Sequence, residues 1–170
     1  MGDAKSDNCA MAAFIDESRR LKRACEEGLE QLGDEDLFRR PSGQQNSIHV
    51  IIQHLAGNMR SRWTDFLHSD GEKPNRNREG EFVEAAVPRR QIMQTWERGW
   101  ECLFAALSQL RDADLCRTVT VRGEPMSVAA AITRQIGHYG WHVGQILLLA
   151  KHFRGPAWKY VTIPPGQGVK

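Results

Sequence analysis

His138 and His142 stand four residues apart within HYGWHVGQI. In a helix that spacing stacks two imidazoles on one face, about one turn apart, so both can reach a single ion. A third ligand has to come from another segment. The remaining histidines are His49, His54, His68 and His152. His152 lies ten residues beyond His142, and His68 borders a polar stretch. His54 sits mid-segment among Ile51, Ile52 and Leu55, which makes an inward orientation credible and His54 the best third ligand. His49 is about 140° round the same helix and does not share its direction. Three neutral imidazoles suit zinc, nickel or ferrous iron and leave positions open for water or substrate.

The neighbours of these histidines extend the reading. Asn58 is one turn beyond His54, and Gln145 is three residues after His142. Either is placed to hydrogen-bond a metal-bound water or to steady a ligand. No carboxylate is obviously positioned as a general base. Glu97 and Glu101 are the nearest formal candidates. There is no HExxH, so metalloprotease chemistry of that kind has no support. Ser47 and Ser127 read as helix caps rather than nucleophiles. The glycines are scattered, and no phosphate-cradling loop is present.

The elements that must position the histidines follow from apolar periodicity. Phe14, Leu21, Cys25, Leu29 and Leu32 share one helical face over about Met11–Leu32. A second helix is expected from Ser47 through Phe66, and a third from Pro88 to Leu107. A fourth is expected from Ser127 to Phe153, stopped by Gly155-Pro156. Between the second and third lies SDGEKPNRNREG, Ser69–Gly80, which reads as a long loop bordering a pocket. The tail AWKYVTIPPGQGVK is extended by composition, with Trp158, Tyr160 and Ile163 large enough to pin it to the bundle. No strong strand pattern is seen.

The expected fold is therefore all-α: one four-helix domain over residues 1–170 with an extended C-terminal tail. QLGDEDLFR at Gln31–Arg39 resembles QLRDADLCR at Gln109–Arg117, and Ser47 and Ser127 follow at nearly the same offset. An internal duplication of a helix pair accounts for that. The connections permit a long crossover, expected between the second and third helices.

Composition excludes several classes. Lys and Arg total 23 and Asp and Glu 21, a net charge of +2, with both signs mixed along the chain. No basic footprint for nucleic acid results. The apolar run Ile146–Ala150 is too short to span a bilayer. The start, MGDAKSDNCA, has no signal run. Cys9, Cys25, Cys102 and Cys116 form no CxxC pair, so thiols in a reducing cytoplasm are expected. Five tryptophans, Trp63, Trp96, Trp100, Trp141 and Trp158, fit core and interface packing, with Trp141 a candidate dimer-facing residue.

HYGWHVGQI at His138–Ile146 resembles the fourth-helix signature of the DinB-like superfamily, and NSIHVIIQHLAGNMRSRW at Asn46–Trp63 resembles its second-helix signature. The loop and tail look like an uncharacterised bacterial branch, and the likeness covers nearly the whole chain. The resemblance implies a four-helix bundle with a divalent metal near one end, held by His54, His138 and His142, and a homodimer. It also implies relatives that transfer low-molecular-weight thiols such as bacillithiol, mycothiol or glutathione, or that isomerise or hydrolyse small substrates. Three functions follow as expectations. The first is a metal-dependent S-transferase using a thiol cosubstrate, with Arg60, Arg62, Arg76 or Arg78 holding an acidic thiol. The second is a hydrolase acting through metal-bound water, and the third a non-catalytic metal-binding or stress-associated interaction protein.

Overall fold

Four helices carry the apolar periodicities: α1 (Cys9–Leu29), α2 (Ile48–Trp63), α3 (Arg89–Leu107) and α4 (Val128–Arg154). The computed structural model describes residues 9–43, 45–164 and 166. The first eight residues, including most of the start read as lacking a signal run, and the end of the tail lie outside them. Ser47 and Ser127 cap α2 and α4, accepting from the N–H groups of Val50 and Ala130. Gly155, at φ 59°, ends α4 and returns its N–H to the Lys151 carbonyl. Among the described residues no helix is long and apolar enough to cross a membrane.

Side-chain contacts give the helix directions. Ala56 lies against Gly99, and Thr64 Oγ1 is 3.6 Å from Cys102 Sγ, so α2 and α3 run parallel. Lys22 pairs with Glu97 while Arg89 donates to the carbonyls of Leu29 and Leu32, so α1 and α3 run antiparallel. Trp63 meets Tyr139 and His54 meets His142, so α2 and α4 also run antiparallel. α1 and α4 both start on one turn. Ala10 and Met11 donate to the Asp112 carboxylate, while Val128 and Ala129 donate to the carbonyls of Arg117 and Leu115. The order is up, down, down, up. Parallel neighbours cannot be joined by a tight turn, so residues 64–88 travel back along the bundle and pass the histidines on the way.

The core lies between the four helices. Trp96, Trp100, Tyr139, Leu55, Met59 and Ile92 are fully buried there. The buried Trp63 indole N–H donates to the Tyr139 hydroxyl at 2.7 Å, which removes two polar atoms from the apolar ledger. Trp141 is the exception among the tryptophans, at 76% exposed. In the tail, Trp158 packs over Gly28, and Gln31 exchanges two hydrogen bonds with the Lys159 backbone. Lys151 sits over the Tyr160 ring, but Ile163 is exposed and pins nothing.

The expectation of no strands is corrected by a hairpin, β1 (Thr118–Val121) and β2 (Glu124–Ser127), paired antiparallel with Val121 opposite Glu124. Arg122 and Gly123 have φ of 57° and 77°, the left-handed pair that a two-residue hairpin turn requires. The alternation TVTV before Arg-Gly was a strand signal, too short to stand out beside 20-residue helical periodicities. Asp70 holds the turn, accepting from the N–H groups of Arg122 (2.9 Å) and Gly123 (2.7 Å). Gly71 N–H adds a bond to the Thr120 carbonyl. The crossover is thereby tied to the hairpin that precedes α4.

Candidate metal centre

α2 and α4 cross with His54 facing His138 and His142. One nitrogen from each ring lies within 4.8 Å of the other two. His54 Nε2 and His138 Nε2 are 3.3 Å apart. Two imidazoles bound at 2.0–2.1 Å in tetrahedral geometry would have nitrogens about 3.4 Å apart. That pair is already at ligand spacing, and the third ring has a nitrogen within 4.8 Å of both.

The far side of two rings is committed to acceptors. His54 Nδ1 is 3.0 Å from Glu81 Oε2, and His142 Nδ1 is 2.8 Å from Gln145 Oε1. Since an ionised carboxylate and an amide oxygen only accept, both Nδ1 atoms carry hydrogen, which leaves Nε2 as the metal-binding nitrogen of each ring. His138 Nδ1 is buried with no protein partner. Burial foremost, then the neighbouring His142 and His54, pushes the His138 pKa down to about 3. His142 is lowered too, by burial, against an opposing bond to Gln145. A divalent ion takes imidazole in its neutral form, which the lowering of His138 and His142 favours.

Glu81 reaches His54 because α2 has no side chain at Gly57. A Cβ there would stand 2.1 Å from Glu81 Oε1. The carboxylate is also held by Arg76, with Nε and Nη2 at 2.8 and 2.7 Å. Burial pushes Glu81 up, but the bonds from His54 and Arg76 outweigh it and hold the group below the usual carboxylate range. Arg76 continues to Glu72, which also takes Arg62 and Arg122. Phe82 lies over the His54 ring at 4.9 Å, and Arg78 over Phe82 at 5.2 Å. The polar loop is thus a strap folded onto the centre rather than free surface.

A cavity of about 290 Å³ opens at the histidines. His54, His138, Asn58, Gln135 and Trp141 line it together with five arginines. A second cavity of about 460 Å³ lies behind Arg76 and Glu81, lined by Gly57, Arg60 and Lys73 among others. The first is the one lined by imidazoles, those of His54 and His138.

His54, His138, His142 and Gln145 are brought together. Asn58 lies in the cavity wall, 3.4 Å from the Tyr139 hydroxyl, with its partner in the core rather than at a histidine. His49 is turned away onto Glu84 at 2.9 Å and Phe38, while His68 and His152 are exposed. Glu97 and Glu101 are not at the centre: Glu97 pairs with Lys22 between α1 and α3, and Glu101 is exposed. The carboxylate that is there, Glu81, comes from the loop, where no periodicity reports facing. Its only sequence signal is an acidic residue beside an aromatic, Glu81-Phe82, in an otherwise polar run. Of the four arginines singled out, Arg62, Arg76 and Arg78 line the histidine cavity and Arg60 lines its neighbours.

A family model described as "Protein of unknown function (DUF1572)" matches residues 7–167. No curated protein matches the chain.

Proposed function

The chain belongs to the DUF1572 family, whose description assigns no activity, and from that premise we propose that it is a divalent-metal protein of the DinB-like kind whose centre is His54, His138 and His142. The observation that carries the reading is the convergence of three imidazole nitrogens within 4.8 Å, two of them with their outer nitrogens anchored. Zinc or nickel suits an all-nitrogen donor set with open positions.

The reaction proposed is transfer of a low-molecular-weight thiol to a small electrophile. A divalent ion held by the three histidines supplies Lewis acidity, which lowers the pKa of a thiol or water beside it. The chain's own residues orient and exclude. Glu81 and Gln145 fix two imidazole rings, Trp141 and Phe82 flank the centre, and the cavity walls bring the reactant to the nitrogens. Glu81 is occupied by Arg76 and His54, and among the described residues no carboxylate lines the cavity. An unassisted thiol fits that lack of a base better than hydrolysis does.

Metal analysis of protein purified without added metal tests the centre. One divalent ion per chain is expected, with loss in His138→Ala and His142→Ala and weakening in His54→Ala. An ion-free wild type that also fails to take up zinc or nickel overturns the reading. Assays of electrophile conjugation with several cellular thiols test the reaction, and equal product without thiol would replace transferase by hydrolase. Trp141 and Leu148, both exposed and seven residues apart, share the outward face of α4. They support a homodimer, which light scattering of wild type and Trp141→Ser decides.

A further inference from the structure

The cavity over the histidines is walled by Arg62, Arg76, Arg78, Arg122 and Arg134, and among the described residues no carboxylate lines it. Behind that wall stand two glutamates. Glu72 serves Arg62, Arg76 and Arg122, and Glu81 serves Arg76. Glu72, Glu81 and the exposed Glu79 are the three carboxylates paired with these five guanidinium groups, which leaves the chamber with a surplus of positive charge. The surplus is local, since the whole chain carries only +2.

The five are not equivalent. Arg62 and Arg76 have side chains only 7% and 5% exposed and are fixed by the strap. They set the potential without being free to bind. Arg122 reaches Glu72 only through Nε, at 2.9 Å. Arg78 has a single 3.4 Å contact to the exposed Glu79. Arg134 makes no hydrogen bond or ion pair among the described residues. Next to it, Gln135 also lines the cavity and is 93% buried, and its amide oxygen has no partner among the described residues. An unsatisfied buried acceptor is destabilising unless something donates to it.

We propose that this cavity binds a small oxyanion, a carboxylate or phosphate carried on a hydroxyl- or amine-bearing body, with Arg134 and Arg122 clamping the anion and Gln135 accepting from the donor. The inference rests on the histidine centre being the reacting end of the same chamber. A volume of about 290 Å³ is equivalent to about ten waters at 30 Å³ each, which admits a metabolite-sized molecule and excludes a polymer. Arg122 and Arg134 are exposed at the cavity, and free guanidinium forks bind oxyanions in bidentate geometry and draw them in from solution.

The test is calorimetric titration of zinc-loaded and metal-free protein with succinate, tartrate, inorganic phosphate and glycerol 3-phosphate, with neutral succinamide as control. Saturable binding of at least one anion is expected, absent for succinamide and weakened about tenfold or more in Arg134→Gln and in Arg122→Gln. Carboxylates ahead of phosphates identify an organic acid, and the reverse order a phosphate ester. Tartrate should bind more tightly than succinate, and Gln135→Leu should abolish that difference while leaving thermal stability equal or higher. No binding of any anion, equal binding of succinamide, or affinity unchanged in both arginine variants overturns the proposal. Metal content measured on the same samples separates the two readings. An ion held without anion binding removes this inference and keeps the centre, while arginine-dependent binding without an ion does the reverse.

Discussion

Gly57 is the residue on which the histidine centre turns, although it touches no ligand. Its missing side chain is the space that the Glu81 carboxylate fills to reach His54. Alanine favours a helix over glycine by about 1 kcal/mol, so Gly57→Ala would stabilise an isolated α2. Here the added Cβ meets Glu81 Oε1 at 2.1 Å and Cδ at 2.5 Å, and the carboxylate must leave. We predict that Gly57→Ala weakens metal affinity about 10–100-fold with a melting temperature no higher than wild type. Competition with a chelator and a thermal melt measure both, and an unchanged affinity would show that Glu81 does not steady His54. Glu81→Ala separates the two roles of that carboxylate. It should lose similar affinity and also about 3 kcal/mol of stability, because Arg76 is left buried with a single partner. Denaturant unfolding of the metal-free protein reads the second effect alone.

At the level of elements, the duplication seen in the sequence is also a repetition of contacts. Asp36 accepts from Gly33 N–H and from Arg39, and Asp114 accepts from Arg111 N–H and from Arg117. Ser47 and Ser127 cap the helices that follow. Such a repeat makes α1 against α4 and α3 against α2 equivalent packings, and these are the two parallel pairs. The centre breaks the equivalence. With Ser47 matched to Ser127, His54 aligns with Arg134, and Asn58 and Arg62 with His138 and His142. The helices, their caps and their histidines were legible because period and spacing report facing. The strap was not, since Asp70, Glu72, Arg76 and Glu81 act through tertiary ion pairs that no periodicity encodes. Glu72 provides the pH test of that strap. Burial raises its carboxyl, but Arg122 and Arg62 more than compensate and bring it from 4.5 to about 2. A carboxylate lowered on folding contributes stability above its unfolded pKa and loses it as pH falls through the folded value. Wild type should therefore lose about 1–2 kcal/mol more than Glu72→Gln between pH 5 and 2, after allowance for partial exposure. Parallel acid unfolding curves for the two proteins would rule out the pairing as a source of stability.

For the molecule as a whole, the proposed ion would act as a cross-link between antiparallel helices. α2 and α4 meet at the histidines, and the Tyr139 hydroxyl adds polar ties between them, accepting from Trp63 and donating to Asn58. The hairpin, where the sequence shows no strong strand pattern, and the strap fix the ends of that contact from outside the bundle. An ion that binds the folded chain and not the unfolded one stabilises it by mass action, about 2.7 kcal/mol at 100 times its dissociation constant. For a chain of 170 residues that corresponds to a rise of about 5–10 °C in melting temperature. The rise should grow with the logarithm of free zinc or nickel and reverse with a chelator. It should vanish in His138→Ala, where the remaining pair of imidazoles comes from two different helices. His49→Ala should keep the full metal-dependent increment even if its baseline falls, because that imidazole is bonded to Glu84 and faces away from the centre. An equal increment in wild type and His138→Ala would mean that the ion binds elsewhere on the chain.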